Sequence, residues 1–243
     1  MYRKLYEVLL PVLMTVIVLA GCSVNAPSSD KLSEVEELYD QEQYQNAMNV
    51  ARYNLQEGNK PGDMASITTV WKVQLLQGGK TIDYAQQFYF QAKDRIVDTG
   101  PAVIPFMGKS LLKDPYNTVR LFSLYALAEF DDSLSTSYLA RVFEPEYTMG
   151  GKPSDVTEEF LKSEAITVLS GRGFTGIYDE AVKLAENPDP EMQAKAVTAL
   201  GAIGGEKAIP VLEALSERAK SSKDGDWVSE LADSTVARIK RGQ

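Results

Sequence analysis

Residues 187–215, NPDPEMQAKAVTALGAIGGEKAIPVLEAL, constrain the fold more than any other stretch of the chain. Met192, Ala196, Ala199, Leu200 and Ile203 fall at offsets 0, 4, 7, 8 and 11, a single apolar stripe at helical period. Ile209, Leu212 and Leu215 make a second stripe around Pro210. Pro188 and Pro190 interrupt the chain before the first stripe, and Gly204 and Gly205 separate the two. The stretch therefore predicts a helical hairpin that turns at the glycines. Two short helices cannot bury both their faces alone, so the hairpin needs neighbours of its own kind.

The chain supplies them at regular distances. Val119-Arg120 through Ala126-Leu127 align with Met192-Gln193 through Ala199-Leu200 at an offset of 73, which sets Asp114-Pro115 on Asn187-Pro188. Pro101 to Pro105 align with Lys207 to Pro210 at 105, and Ala165 to Leu169 with Ala196 to Leu200 at 31. These offsets agree with one helical repeat of about 31 residues and one surplus of about 11. The surplus falls at residues 144–155, which are rich in turn formers and poor in apolar residues.

The pattern of Asp-Pro, then Val-Arg and Ala-Leu, then Gly and Ala-Ile-Pro, resembles the short HEAT-like repeats of the bilin-lyase type over residues 81–241. That resemblance implies an all-α fold, an α-solenoid of about five or six antiparallel helical hairpins. It also implies that Arg120 and Asp114 bridge adjacent repeats. The last stripe, Val228, Leu231, Ala232, Thr235 and Ile239, predicts a capping helix with one polar face, and Trp227 is expected to seal the final hairpin.

Ahead of the repeats, residues 31–80 read as further helices. Leu32, Val35, Leu38 and Tyr39 form one stripe, and Tyr44, Ala47, Met48, Ala51 and Leu55 another. The junction ELYDQEQYQNAMNVA resembles part of a tetratricopeptide repeat at Tyr44 and Ala47, while Asn54 and Pro61 depart from that pattern. The adjacent aromatics Phe88, Tyr89 and Phe90 cannot share one helix face, so they are expected to serve packing with one or two left exposed. The acidic residues Asp30, Glu34, Glu36, Glu37, Asp40 and Glu42 read as a solvated helix face, because no compact oxygen-ligand loop accompanies them. The glycine-rich run 171–176 follows a helix and lacks a Gly-Lys-Ser/Thr ending, so it reads as an inter-helix turn rather than a phosphate loop.

The first 22 residues read as an address. Arg3 and Lys4 precede an apolar run of about a dozen residues and then Leu19-Ala20-Gly21-Cys22. That run is shorter than the roughly 20 residues of a membrane span. The ending resembles the lipobox of bacterial lipoproteins, which implies removal of a signal peptide at 1–21 and diacylglyceryl attachment at Cys22, the lipidation site. Residues 22–30 would then be a flexible tether, residues 31–80 the N-terminal hairpins, and 81–243 the repeat solenoid. With Ser23 after the cysteine, the family pattern implies the outer membrane facing the periplasm in a Gram-negative envelope.

Composition narrows the chemistry. The chain has no histidine and one cysteine, so Ser-His and Cys-His pairs, histidine metal sites, intrachain disulfides and Cys-based zinc sites are excluded. A formal charge of −9 argues against nucleic acid as a partner. No enzyme activity, metal or cofactor is expected. The reading is a membrane-anchored, non-enzymatic scaffold or adaptor that binds an unidentified protein partner at the cell envelope. A structural cell-wall spacer is the alternative, and a lyase-like or accessory activity on a small molecule stands further off. The insertion at 144–155, with Tyr147 and Met149 as its apolar contacts, is the expected partner-binding element, weighed equally against a disordered excursion.

Overall fold

The computed structural model describes residues 33–56, 63–222 and 225–242. The predicted signal peptide, Cys22 and the tether lie outside the described residues, as do Leu32, Asp30 and Pro61. Within them the fold is an all-α helical repeat with no strand. In chain order the helices are α1 Glu34–Asp40, α2 Tyr44–Gln56, α3 Met64–Gly78, α4 Ile82–Thr99, α5 Ile104–Lys113 and α6 Asn117–Ala128. They continue with α7 Ser133–Ala140, α8 Glu158–Gly171, α9 Tyr178–Ala185, α10 Pro190–Ile203, α11 Ile209–Lys220 and α12 Asp226–Lys240.

Side-chain caps place five of the twelve helix starts among the described residues. Asp63, Thr81, Asp132, Thr157 and Asp189 each cap a helix by accepting a backbone N–H of its first turn. Pro190 opens α10, where its missing N–H costs nothing. The repeat register survives in space. Asn117 and Pro190, the first residues of α6 and α10, lie 73 positions apart. Ile104 and Ile209 open α5 and α11 at a separation of 105, each behind a short 3₁₀ turn whose last residue, Val103 or Ala208, is buried. Tyr178 opens α9 in the same way, 31 residues before Ile209.

Helices α4, α6, α8, α10 and α12 pack successively against one another as one layer. The second layer contains α5 against α7 and α9 against α11. One core runs through both, from Trp71 to Val236, with Phe122, Leu124, Leu127, Leu161, Leu169, Leu200 and Leu215 among its fully buried members. Helices α1, α2 and α3 pack together around Tyr39, Ala47, Met48 and Val73, and α3 joins them to α4, α5 and α6. Asn54, one departure from the tetratricopeptide pattern, ties α2 to α3 by donating to Ser66 Oγ at 3.0 Å.

Two expectations are corrected. The tightly packed helix pairs are α5–α6, α9–α10 and α11–α12, joined through the Asp114, Asn187 and Gly225 turns. Helices α10 and α11, read from sequence as the hairpin, meet only lightly. Gly205, at φ 51°, and the 3₁₀ turn Gly205–Ala208 make that link a connector between hairpins. An apolar stripe says that a face is buried and leaves open which neighbour buries it. Trp227 does not seal the last hairpin. It is 47% exposed, because α12 buries Val228, Ser229, Ala232, Thr235 and Val236 and position 227 lies one step off that stripe.

Candidate functional site

The Asp-Pro turn between α5 and α6 is a buried polar node that joins several helices. The Asp114 carboxylate is fully buried and its Oδ2 faces the Lys72 ammonium at 2.9 Å as an ion pair. Asp114 Oδ1 accepts from the Tyr116 N–H at 3.0 Å and from the Tyr39 hydroxyl at 3.3 Å. Lys72 also lies over the Tyr39 ring, 3.7 Å from its centroid. Burial, reinforced by the charge of Asp114, pushes the Tyr39 hydroxyl well above the usual phenol range. The node thus binds α1, α3 and the α5–α6 turn through a fully buried carboxylate and a mostly buried ammonium.

Arg120 does not form the expected bridge to the Asp114 carboxylate. Its Nε donates to the Asp114 backbone carbonyl at 2.6 Å and its Nη1 to the Thr148 carbonyl at 2.6 Å. The carboxylate is already committed to Lys72. At the aligned turn, Gln193 Nε2 donates to the Asn187 carbonyl at 2.7 Å, and the Asp189 N–H donates to Asn187 Oδ1 at 2.8 Å. Arg Nε and Gln Nε2 both stand four bonds from Cα, so either side chain can close the same turn. The guanidinium then has donors left over, and these hold the loop.

The loop at 144–155 is fastened rather than free. Gly150 exchanges two hydrogen bonds with the Asn117 side chain, at 2.8 and 3.4 Å, and the Lys152 N–H donates to the Pro115 carbonyl at 3.1 Å. Asp155 accepts the Ile82 N–H at 2.9 Å, and Lys152 pairs with Glu42 at 2.5 Å. Tyr147 and Met149 are half-buried against the core; the Tyr147 hydroxyl reaches Met149 Sδ at 3.5 Å and the Arg120 guanidinium covers its ring. Burial raises the Tyr147 hydroxyl pKa, against a lowering by Arg120. What the loop shows to solvent is Glu144, Pro145, Glu146, Thr148, Gly151, Pro153 and Asp155.

Across the first layer runs a polar ladder that periodicity does not announce. Gln86 on α4 donates to the Tyr125 hydroxyl on α6 at 3.0 Å, and that hydroxyl also faces Glu164 on α8. Glu164 accepts from Lys195 on α10 at 2.5 Å. Lys195 contacts Ser163 Oγ at 3.1 Å, which superficially suggests a Ser-Lys nucleophile. Ser163 is fully buried, however, and its own proton goes to the Phe160 carbonyl at 2.7 Å. Lys195 is held as a donor by Glu164 and lies over the Phe160 ring at 4.8 Å. The contact ties helices together and presents no nucleophile.

Other predicted features resolve similarly. Glu36 and Glu42 of the acidic segment pair with Lys109 and Lys152, at 2.8 and 2.5 Å, so that segment is in part an inter-helix fastening. In the aromatic run Tyr89 is buried, Phe88 packs on Phe122 at 5.3 Å, and Phe90 is 71% exposed. The 171–176 run is a turn, with Gly173 at φ 70°. Arg172 within it donates to the Leu127 and Ala128 carbonyls at 2.9 and 3.1 Å, closing the C-terminus of α6, and burial lowers its pKa. Among the described residues no group of three His, Cys, Asp or Glu could hold a metal ion.

Sequence reasoning missed a cleft of about 470 Å³ between α3 and α4, bounded by Trp71, Tyr84 and Phe88 with Gln74, Gln77 and Gln91. The available signal was polar spacing: Gln74 and Gln77 are three apart on α3, and Gln91 and Arg95 four apart on α4. No curated protein and no solved structure matches the chain significantly. A family model described as HEAT repeats matches residues 158–226, from the first residue of α8 to the first of α12, and that part of the chain is therefore similar to HEAT repeats.

Proposed function

We propose that the protein is a membrane-anchored lipoprotein that acts as a non-enzymatic, protein-binding scaffold at the bacterial cell envelope. The observation that carries this reading is the helical-repeat frame itself. Its layer of helices is cross-tied by Gln86, Tyr125, Glu164 and Lys195, which keeps an extended surface in one shape for a partner to meet. The Leu19-Ala20-Gly21-Cys22 ending supports the lipid anchor. A frame of this kind hosts many functions, so the partner must be found by its contact with specific residues.

Two experiments test it. Metabolic labelling with a palmitate analogue should mark the wild-type chain and not Cys22→Ala, which should also leave the membrane fraction; unchanged labelling rejects the anchor. Cross-linking of the full chain in envelope extracts should capture a defined protein, and charge-reversal variants on the exposed faces of α4, α8 and α10 should abolish that capture. Cosedimentation with cell-wall sacculi and no captured protein would replace the adaptor by a spacer.

A further inference from the structure

The cleft between α3 and α4 differs in chemistry from the other clefts described. Those near Asp114, Glu158 and Asp131 are each lined by three carboxylates. In a chain with 34 acidic residues against 25 basic ones, no Asp or Glu lines the α3–α4 cleft, and Arg95 is its one charged group. Among the described residues Arg95 has no ion-pair partner, although Asp94 and Asp98 flank it on α4. The carboxamides of Gln74, Gln77 and Gln91 have no hydrogen-bond partner there either. The apolar wall is shaped by contact: Tyr84 stacks near Phe88 at 6.3 Å, and a Cβ on Gly78 would fall 1.7 Å from the Tyr84 hydroxyl oxygen. Glycine at the end of α3 lets that ring lie where it does.

We infer that this cleft docks an extended peptide segment bearing a carboxylate, supplied by a partner protein. A carboxamide donates and accepts, as a peptide group does, so three of them match the main chain of an extended segment. A guanidinium with open donors matches a carboxylate in two-pronged geometry. Tyr84 and Phe88 offer ring surface to an apolar side chain. Spacing agrees too: Gln91 and Arg95 are one helical turn apart, about 6 Å along the axis, near the roughly 7 Å between same-face groups of an extended chain. The volume falls within the roughly 300–1,000 Å³ of small-ligand sites, enough for a few residues. This inference rests on the scaffold reading and names the chemistry of its partner.

The test uses the full chain in detergent micelles with Trp227→Phe, which leaves Trp71, at the cleft, as the single tryptophan. The probes are an octapeptide library randomised at its last four positions and a second library in which every carboxyl is replaced by its amide. Chitotetraose serves as a neutral glycan probe. Carboxylate peptides should perturb Trp71 emission with Kd below about 100 µM. Their amide counterparts should bind at least about tenfold more weakly, since a charge-assisted pair is lost. Arg95→Glu should weaken binding by at least the same factor with unchanged circular dichroism, and Arg95→Lys should fall between. The inference is overturned if no peptide binds at millimolar concentration, if amides bind equally, if Arg95→Glu binds as wild type, or if chitotetraose alone gives the response. A captured envelope protein that Arg95→Glu still retains sinks this site and leaves the scaffold reading standing. Peptide binding without any captured protein does the reverse.

Discussion

Neutralising Asp114 tests whether the N-terminal helices are held to the repeats by a buried charge pair. In Asp114→Asn the Oδ1 acceptor survives for the Tyr116 N–H and the Tyr39 hydroxyl, while an amide NH2 donor replaces the Oδ2 that faces Lys72 at 2.9 Å, so the loss is confined to that one contact. Removing one partner of a buried pair costs about 3–5 kcal/mol, because the other charge stays buried alone. Lys72 keeps 14% exposure and the Tyr39 ring face, which places the expected loss at or just below the lower end of that range, about 2–3 kcal/mol. Lys72→Met strands the carboxylate instead, which is 0% exposed, and should cost about 3 kcal/mol or more. The double variant strands neither charge, so the two losses should fall short of additivity by about 2 kcal/mol. Urea unfolding of a chain spanning 33–243, followed by circular dichroism, measures all three. Additivity within about 0.5 kcal/mol would refute the reasoning, since it would mean that the two groups do not stabilise each other.

Gly150→Ala should cost about 1–3 kcal/mol, because its Cβ would lie 2.3 Å from the Pro115 carbonyl oxygen, a backbone atom that cannot rotate away. Gly151→Ala meets nothing within 4 Å and should change stability by less than about 0.5 kcal/mol; equal effects at both sites would show that the loop is not fastened as described. Arg120→Gln should retain more stability than Arg120→Leu, since glutamine can still close the turn onto the Asp114 carbonyl; equal losses in thermal unfolding would deny the turn bond any weight. Stability should also fall in alkali. Burial raises the Tyr39 hydroxyl above its unfolded value of about 10, so its contribution is complete below pH about 10 and is lost as pH rises above it. At pH 11 the loss is about 1.4 kcal/mol from this group, and Tyr39→Phe should flatten the pH dependence of the urea midpoint; an unchanged slope would contradict the assignment.

How far these features are legible in sequence depends on what kind of information they require. Helix existence is local: the stripe through Ala85, Tyr89, Ala92 and Ile96 and the caps at Thr81 and Asp189 are visible as spacing and residue type. Repetition is legible as well, and the offsets of 31, 73 and 105 recur as separations between helix starts. Pairing is not. The stripe on α10 faces α8, α9 and α12 more than α11, because a 3₁₀ turn after Gly204 redirects the chain, and composition around a glycine pair does not encode that direction. The fastening of 144–155 was hidden for a related reason. Turn-rich composition describes a segment without regular structure, whereas its order comes from Asn117 and Arg120 on another helix.

The two aligned turns show why the repeat frame and the candidate site are separate matters. Asp114 with Arg120 and Asn187 with Gln193 differ in charge at both positions, yet each pair makes the same bond from the longer side chain to the carbonyl of the shorter residue. At these two turns the frame therefore requires reach and hydrogen-bond capacity, and leaves charge available for other work. At the first turn that surplus holds Lys72 and Thr148; at the second, Asn187 donates to Glu159 and the turn stays exposed. The α3–α4 cleft lies outside both turns and outside the stretch similar to HEAT repeats. Its glutamines and Arg95 close no turn, cap no helix and pair with no described residue, so nothing in the frame requires them. Residues that the frame does not require, gathered in one concavity, are where a partner's chemistry can be written without cost to the fold.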